Sequence, residues 1–488
     1  MEMLEEAWKK QHAACDRAAL MADSRSRASC VCDACSDVRI SGMRACTACD
    51  AAPGDAGLQL CAACHTVAYC SPACQRAHWG VHKKLCKAAS AKRLLGLMAF
   101  AEAGHADAQF SVGLSHYNGF GTPKDLGLAT VWYERAAIAG QMEAQFNLAV
   151  CFSKGYGVVQ DPVQALQWWR RAAERGQDKA QYNVGNCYAT GSGVAKDPVE
   201  AAVWFQRAAA AGFADAQLAL ACCYRNGDGV PKDAAQAVSW FRRGAASGNA
   251  EAQAGLAECY ASGSGVPRSA AQAVRLLERA ADAGCLAASC NLGKRYAMGD
   301  GVAYDPVKAA ACFKRASVAG DGEALCNLAR CNAEGVGVPL DPAQAAALYR
   351  KASDAGFVPA HHLLASCYSH GEGVPVDVVR AAALWRKGAD AGNVEAQCHL
   401  GFSYAKGLGV PKDPAQAAAL WRSASDAGSV EAQYNLGFLY AEGLGVPKDP
   451  VKATALLRKV VRAGSGEFVM AALEGLRALG VRESELRL

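Results

Sequence analysis

Seven cysteines and one histidine between residues 46 and 86 are spaced as metal ligands. In order they read Cys46-x2-Cys49-x11-Cys61-x2-Cys64-x5-Cys70-x3-Cys74-x7-His82-x3-Cys86. Eight ligands are the number two tetrahedral zinc sites require, and soft thiolates select zinc over harder cations. A C-x2-C turn brings both sulfurs to one metal, so four close pairs make two S/N sites; spacing alone leaves open which pairs share an ion. Every position is a protein ligand, which describes closed structural sites rather than a catalytic site with an exchangeable water. A segment of about 40 residues buries too little apolar surface to fold unaided. Zinc binding, worth about 10–16 kcal/mol in such sites, takes the place of a core.

Four further cysteines precede this set. Cys15, Cys30, Cys32 and Cys35 are read as free thiols, because the C-x-C-x2-C spacing is loose for a third zinc site with His12. A register with Cys32 and Cys35 as the first ligand pair is not adopted, since Cys64-x5-Cys70 identifies the second pair.

The run Tyr69-Cys70-Ser71-Pro72-Ala73-Cys74-Gln75-Arg76-Ala77-His78-Trp79-Gly80-Val81-His82-Lys83-Lys84-Leu85-Cys86 resembles the second half of a MYND-type zinc finger. The resemblance extends over residues 46–86. It implies two structural Zn2+ ions in a cross-brace, with Cys46, Cys49, Cys70 and Cys74 on one and Cys61, Cys64, His82 and Cys86 on the other. It also implies docking of short proline-containing peptides, with contacts that map onto Gln75 and Trp79. Some members of that family carry serine where this chain has Ala62. A purely structural role for Trp79, packing its helix on the zinc knuckle, is the competing reading.

Behind the finger one unit is copied ten times. Ala108, Ala144, Ala180 and so on to Ala432 recur every 36 residues without an insertion, as do Ala129 to Ala453. A fixed period of this length marks a stacked repeat architecture. Its punctuation predicts the unit. Asp161-Pro162, with equivalents such as Asp305-Pro306 and Asp449-Pro450, supplies an N-cap acceptor and a proline suited to the first helical turn. The helix that starts there carries the apolar stripe Ala165, Trp168, Trp169 and Ala172 and ends at Gly176. A second helix, from about Lys179 to Ala189, stops at the Gly191-Ser192-Gly193-Val194 turn.

Each repeat is therefore expected to be an αα-hairpin. A leucine column from Leu148 to Leu436 should be buried, and the Gly or Ala that always follows it should let helices approach closely. The pattern A-x-A-Q-x-N-L-G-x-x-Y-x-x-G-x-G-V-x-x-D-P-x-x-A-x-x-W resembles the Sel1-like repeat, over roughly residues 105–464. That resemblance implies an adaptor that assembles protein complexes. Ser269 in place of the capping Asp, and His116 and Asn332 at the usual Tyr column, depart from the pattern.

Cys151, Cys187, Cys223, Cys259, Cys331 and Cys367 fall in one column of the array and read as small buried apolar groups. Asn147, Asn183, Asn291, Asn327 and Asn435 form another, either binding a peptide backbone or bonding within the array. The acidic column Asp107, Glu143, Asp215, Glu251, Glu323, Glu395 and Glu431 matches the positive end of a helix dipole.

The fold class expected is all-α: a right-handed superhelical solenoid of about ten 36-residue repeats behind a small two-zinc finger. Its divisions are an N-terminal segment (1–43), the finger (44–88), a connecting half-repeat helix (89–104), the array (105–464) and a C-terminal capping helix (465–488). Formal net charge is only +5, too little to make nucleic acid a partner by default. The polar start Met1 to Gln11 lacks the apolar core of a secretory signal, and no stretch is apolar enough to span a membrane, so a soluble cytoplasmic or nuclear protein is expected. No P-loop, GxGxxG, nucleophile elbow or HExxH occurs. The functional expectation is a non-enzymatic adaptor that binds proteins and takes no small-molecule substrate. The alternatives are a relative of the MYND-containing lysine methyltransferases, for whose catalytic domain the chain has no room, and a nucleic-acid-associated regulator.

Overall fold

The computed structural model describes residues 59–60, 68–69, 88–463 and 468–481. A helix covers 88–102, and twenty-one more follow among the described residues, from Ala106–Asn118 to Phe468–Ala478. None is long and apolar enough to cross a membrane.

The punctuation acts as predicted. Asp161 accepts hydrogen bonds from the backbone N–H groups of Val163 (2.9 Å) and Gln164 (3.0 Å), with Pro162 opening the helix Pro162–Glu174. These bonds satisfy N–H groups that have no partner inside the helix. Gly176 takes the left-handed conformation two residues past the helix end. The next helix, Asp178–Thr190, closes on Gly191, whose N–H donates to the Cys187 carbonyl at 2.8 Å. The return loop is pinned where the Asp197 N–H donates to the Tyr188 carbonyl at 2.9 Å, and the same bond recurs through the array. Ser269 keeps its capping role at longer range, accepting from the Gln272 N–H at 3.4 Å. The acidic column lies in first helical turns throughout. Asn332 answers its own amide locally, donating to the Leu328 carbonyl at 2.8 Å, so its repeat forms normally.

The chain divides into two compact units, Met1–Ala216 with Asp228–Pro231, and Gln217–Gly227 with Lys232–Leu488. In the first, the helix over 88–102 packs Leu94 and Ala101 against Ala108, Val112 and Trp132 of the first hairpin. In the second, one apolar core runs from Ala257 to Ala453. The final helix, Phe468–Ala478, buries Ala472 and Leu476 against Leu457 and Val460. The leucine column is buried in both units.

The Gly/Ala column has a specific partner, the bulky side chain 20 residues later. A Cβ on Gly185 would lie 2.6 Å from the Phe205 ring, one on Gly293 2.7 Å from Phe313, and one on Gly401 2.6 Å from Trp421. Small residues here are thus sockets for the bulky side chain on the helix that follows, a ring at Phe205, Phe313 and Trp421 and a leucine at Leu457.

Candidate interaction surface

The proposed zinc ligands Cys46, Cys49, Cys61, Cys64, Cys70, Cys74, His82 and Cys86, and the proposed peptide contacts Gln75 and Trp79, lie outside the described residues. So do Cys15, Cys30, Cys32 and Cys35. Within the finger the structure describes two short strands, β1 (Gln59–Leu60) and β2 (Ala68–Tyr69), paired antiparallel with Gln59 opposite Tyr69. In sequence, Cys61 directly follows β1 and Cys70 directly follows β2.

The donor set of seven thiols and one imidazole fits zinc by its chemistry. Among the described residues no three His, Cys, Asp or Glu side chains gather as a metal site. None of the array's twelve cysteines is in a disulfide, and most are buried. Burial pushes the thiols of Cys187, Cys290, Cys367 and Cys398 up to about 11 and that of Cys326 to about 12. At neutral pH these are apolar filler, not thiolate ligands. A second, shorter cysteine column, Cys290, Cys326 and Cys398, accompanies the six-membered one; His362 occupies the same column.

In the asparagine column, Asn327 accepts through its Oδ1 from the Arg330 guanidinium at 3.4 Å. Asn291 is exposed. At His399, in the same column, imidazole replaces amide and stacks between Trp385 (5.2 Å) and His362 (4.9 Å). Burial, with His399 beside it, holds His362 down to about 4, so its imidazole is neutral at physiological pH, and burial lowers His399 as well.

A glutamine column carries a structural duty that the sequence reading left unassigned. Gln109, Gln145 and Gln181 are buried, and their amides donate at 3.1 Å to the carbonyls of Ala101, Ala137 and Ala173 near the end of the preceding helix. A polar residue recurring at period 36 beside a buried alanine was the available signal.

The outward columns vary most. Arg135, Arg171, Arg207 and Arg243 lie 4.3–4.7 Å over the rings of Trp132, Trp168, Trp204 and Trp240. Lys124, Lys196, Lys232, Arg268, Lys412 and Lys448 share one loop column with Gln160, but three consecutive repeats place Tyr304, Leu340 and Val376 there. Those three are 61%, 65% and 62% exposed. The loops that bear Leu340 and Val376 each rest on the start of the helix before: a Cβ on Gly337 would collide with the Pro306 carbonyl, and one on Gly373 with that of Pro342. Tyr304, Leu340 and Val376 thus place one exposed apolar side chain per repeat in a loop column that is cationic in six other repeats.

A family model for the Sel1 repeat matches ten successive segments from 106–141 to 430–465. One for the MYND finger matches residues 32–86, opening at Cys32. Among solved structures, the chain is similar to c5321, a protective antigen present in uropathogenic Escherichia coli strains displaying an SLR fold. Identity is 30%, over 81% of this chain and 92% of that one, with a TM-score of 0.55. A Sel1 repeat protein from Oxalobacter formigenes is 33% identical over 63% of this chain and 90% of its own length, with a TM-score of 0.49. No curated protein matches the chain.

Proposed function

The chain belongs to the Sel1 repeat family, with a MYND finger ahead of the array, and from that membership we propose that it is a non-enzymatic adaptor of the cytosol or nucleus that holds two protein partners at once. Both modules are protein-interaction modules, and the MYND finger is a zinc-binding one. The observation that carries the reading is the run of Tyr304, Leu340 and Val376, three exposed apolar side chains on consecutive repeats at a column otherwise mostly cationic.

In this reading the finger holds two structural zinc ions. Cys46, Cys49, Cys70 and Cys74 bind one, and Cys61, Cys64, His82 and Cys86 the other. Zinc bound there supplies a folding constraint and no Lewis-acid step, because the ligand set leaves no open position. Gln75 and Trp79 dock a proline-containing peptide, the indole offering a flat apolar face on which a proline ring stacks.

Replacing Trp79 by alanine tests the docking. Capture of a proline-rich peptide should fall at least about tenfold, the usual effect of losing an aromatic anchor, with zinc content and helical circular dichroism unchanged. Undiminished capture would place docking elsewhere, and loss of zinc along with capture would make Trp79 a structural staple.

A further inference from the structure

The array breaks its own rules twice at one place. Between the helices Ala270–Asp282 and Pro306–Ser317, above Leu286–Met298, lies a cleft of about 540 Å³. In the first four repeats its column holds the arginine-stacked tryptophans Trp132, Trp168, Trp204 and Trp240, and the repeats on either side hold Leu276 and Leu348; here it holds Cys312, the smallest side chain of the column. Exchanging an indole for a thiol opens the space. Arg315, the equivalent of the stacking arginines, no longer has a ring beneath it and lies 3.6 Å from Asp282.

The second break is in charge. Arg242, Arg350 and Arg422 donate from their guanidinium groups to the hydroxyls of Tyr260, Tyr368 and Tyr440 at 3.0–3.1 Å, and Arg386 does the same to Tyr404. At the cleft that arginine column carries Glu278, and the bond is reversed: the Tyr296 hydroxyl donates to Glu278 at 3.1 Å. The two cations in the lining already have partners, Lys308 facing Asp305 (3.4 Å) with its ammonium 5.4 Å from the centre of the Tyr296 ring, and Arg315 facing Asp282. Among the described residues no cation lies within ion-pair distance of Glu278.

We propose that this cleft docks an arginine side chain presented by a partner polypeptide, with its guanidinium on Glu278 and its methylene stem along Leu292 and Cys312. The cleft offers an apolar floor and, held in place by the Tyr296 hydroxyl, one carboxylate with no cation at ion-pair distance. A planar guanidinium on an apolar stem complements both. Where Arg242, Arg350, Arg386 and Arg422 supply the guanidinium from within, this repeat receives it from outside. The inference rests on reading the array as an interaction surface, but it concerns a site separate from the finger.

Random dodecapeptides displayed on phage, selected on the full-length protein and counter-selected on a Cys312→Trp variant, provide the probe. Cys312→Trp and Glu278→Arg both restore side chains that the array carries elsewhere at these columns, and Glu278→Gln keeps the shape, so all three should fold with unchanged circular dichroism. The recovered peptides should share an arginine. Their affinity should fall about tenfold or more with each of the three variants, and equally when that arginine is replaced by citrulline, which keeps the shape and removes the charge. Trp79→Ala should leave it unchanged. Failure to recover peptides that distinguish wild type from Cys312→Trp, affinity indifferent to Glu278→Gln or to citrulline, or loss with Trp79→Ala would each overturn the proposal. A Trp79→Ala variant that loses proline-peptide capture but keeps this binding leaves the cleft standing whatever the fate of the finger.

Discussion

Truncating Phe241 to alanine should lower the stability of the array by about 3–5 kcal/mol, the range for emptying a closed site of a phenyl ring. The ring is 0% exposed. It packs in a cluster with Ala221, Ala237, Leu256 and Cys259, and a Cβ on Gly255 would lie only 2.5 Å from it. The helix that carries the ring and the one that faces it are capped at both ends, which limits how far their backbones can move into the void. Because each repeat contacts only its neighbours, the loss should be local, and urea unfolding should change from one cooperative step to two. A single transition with an unmoved midpoint would show that the ring contributes little to holding adjacent hairpins together.

Gly229→Ala should be nearly as damaging for a different reason. Gly229 has φ +71°, and its Cβ would fall on the carbonyl of Pro198, which is backbone and cannot rotate aside. Left-handed backbone costs a residue with a Cβ about 1–2 kcal/mol, and forced overpacking adds about 1–3 kcal/mol. Gly212 is the control. Its φ is +95°, but a Cβ there meets nothing within 4 Å, so Gly212→Ala should show the conformational cost alone. Equal midpoints for the two variants in thermal unfolding would remove the steric part of the argument. The comparison explains why the turn is written G-x-G: the first glycine caps a helix, and the second lets the loop lie on the preceding hairpin.

Much of this was readable from period and punctuation. Asp161-Pro162, Gly176 and Gly191 mark helix ends to within two residues, because a cap is a local event decided by neighbouring backbone groups. The small column after the leucines also predicts close approach. Its partner was not legible, since a period says which residues are equivalent and not which column faces which. The pairing of Gly185 with Phe205, or of Glu278 with Tyr296, depends on how helices are rotated against each other. The same holds for the glutamine column, whose amides reach carbonyls eight residues back. The asparagines show the limit most clearly: one sequence column accepts from Arg330 at Asn327, lies exposed at Asn291 and becomes a stacked imidazole at His399.

In the finger the ligand types carry more information than their order. The family match opens at Cys32, whereas the spacing argument begins the ligand set at Cys46, so the first pair is the place where the two can be separated. Native mass spectrometry of the full-length protein, with the metal identified by its mass, does this directly. Two zinc ions per chain are expected, still two in a Cys32→Ala/Cys35→Ala variant or when array cysteines such as Cys187 are replaced by alanine, and one or none after Cys46→Ala/Cys49→Ala. A count of one, none or three in the wild-type protein, or zinc lost with Cys32 and Cys35 instead, would contradict a finger built on Cys46 through Cys86.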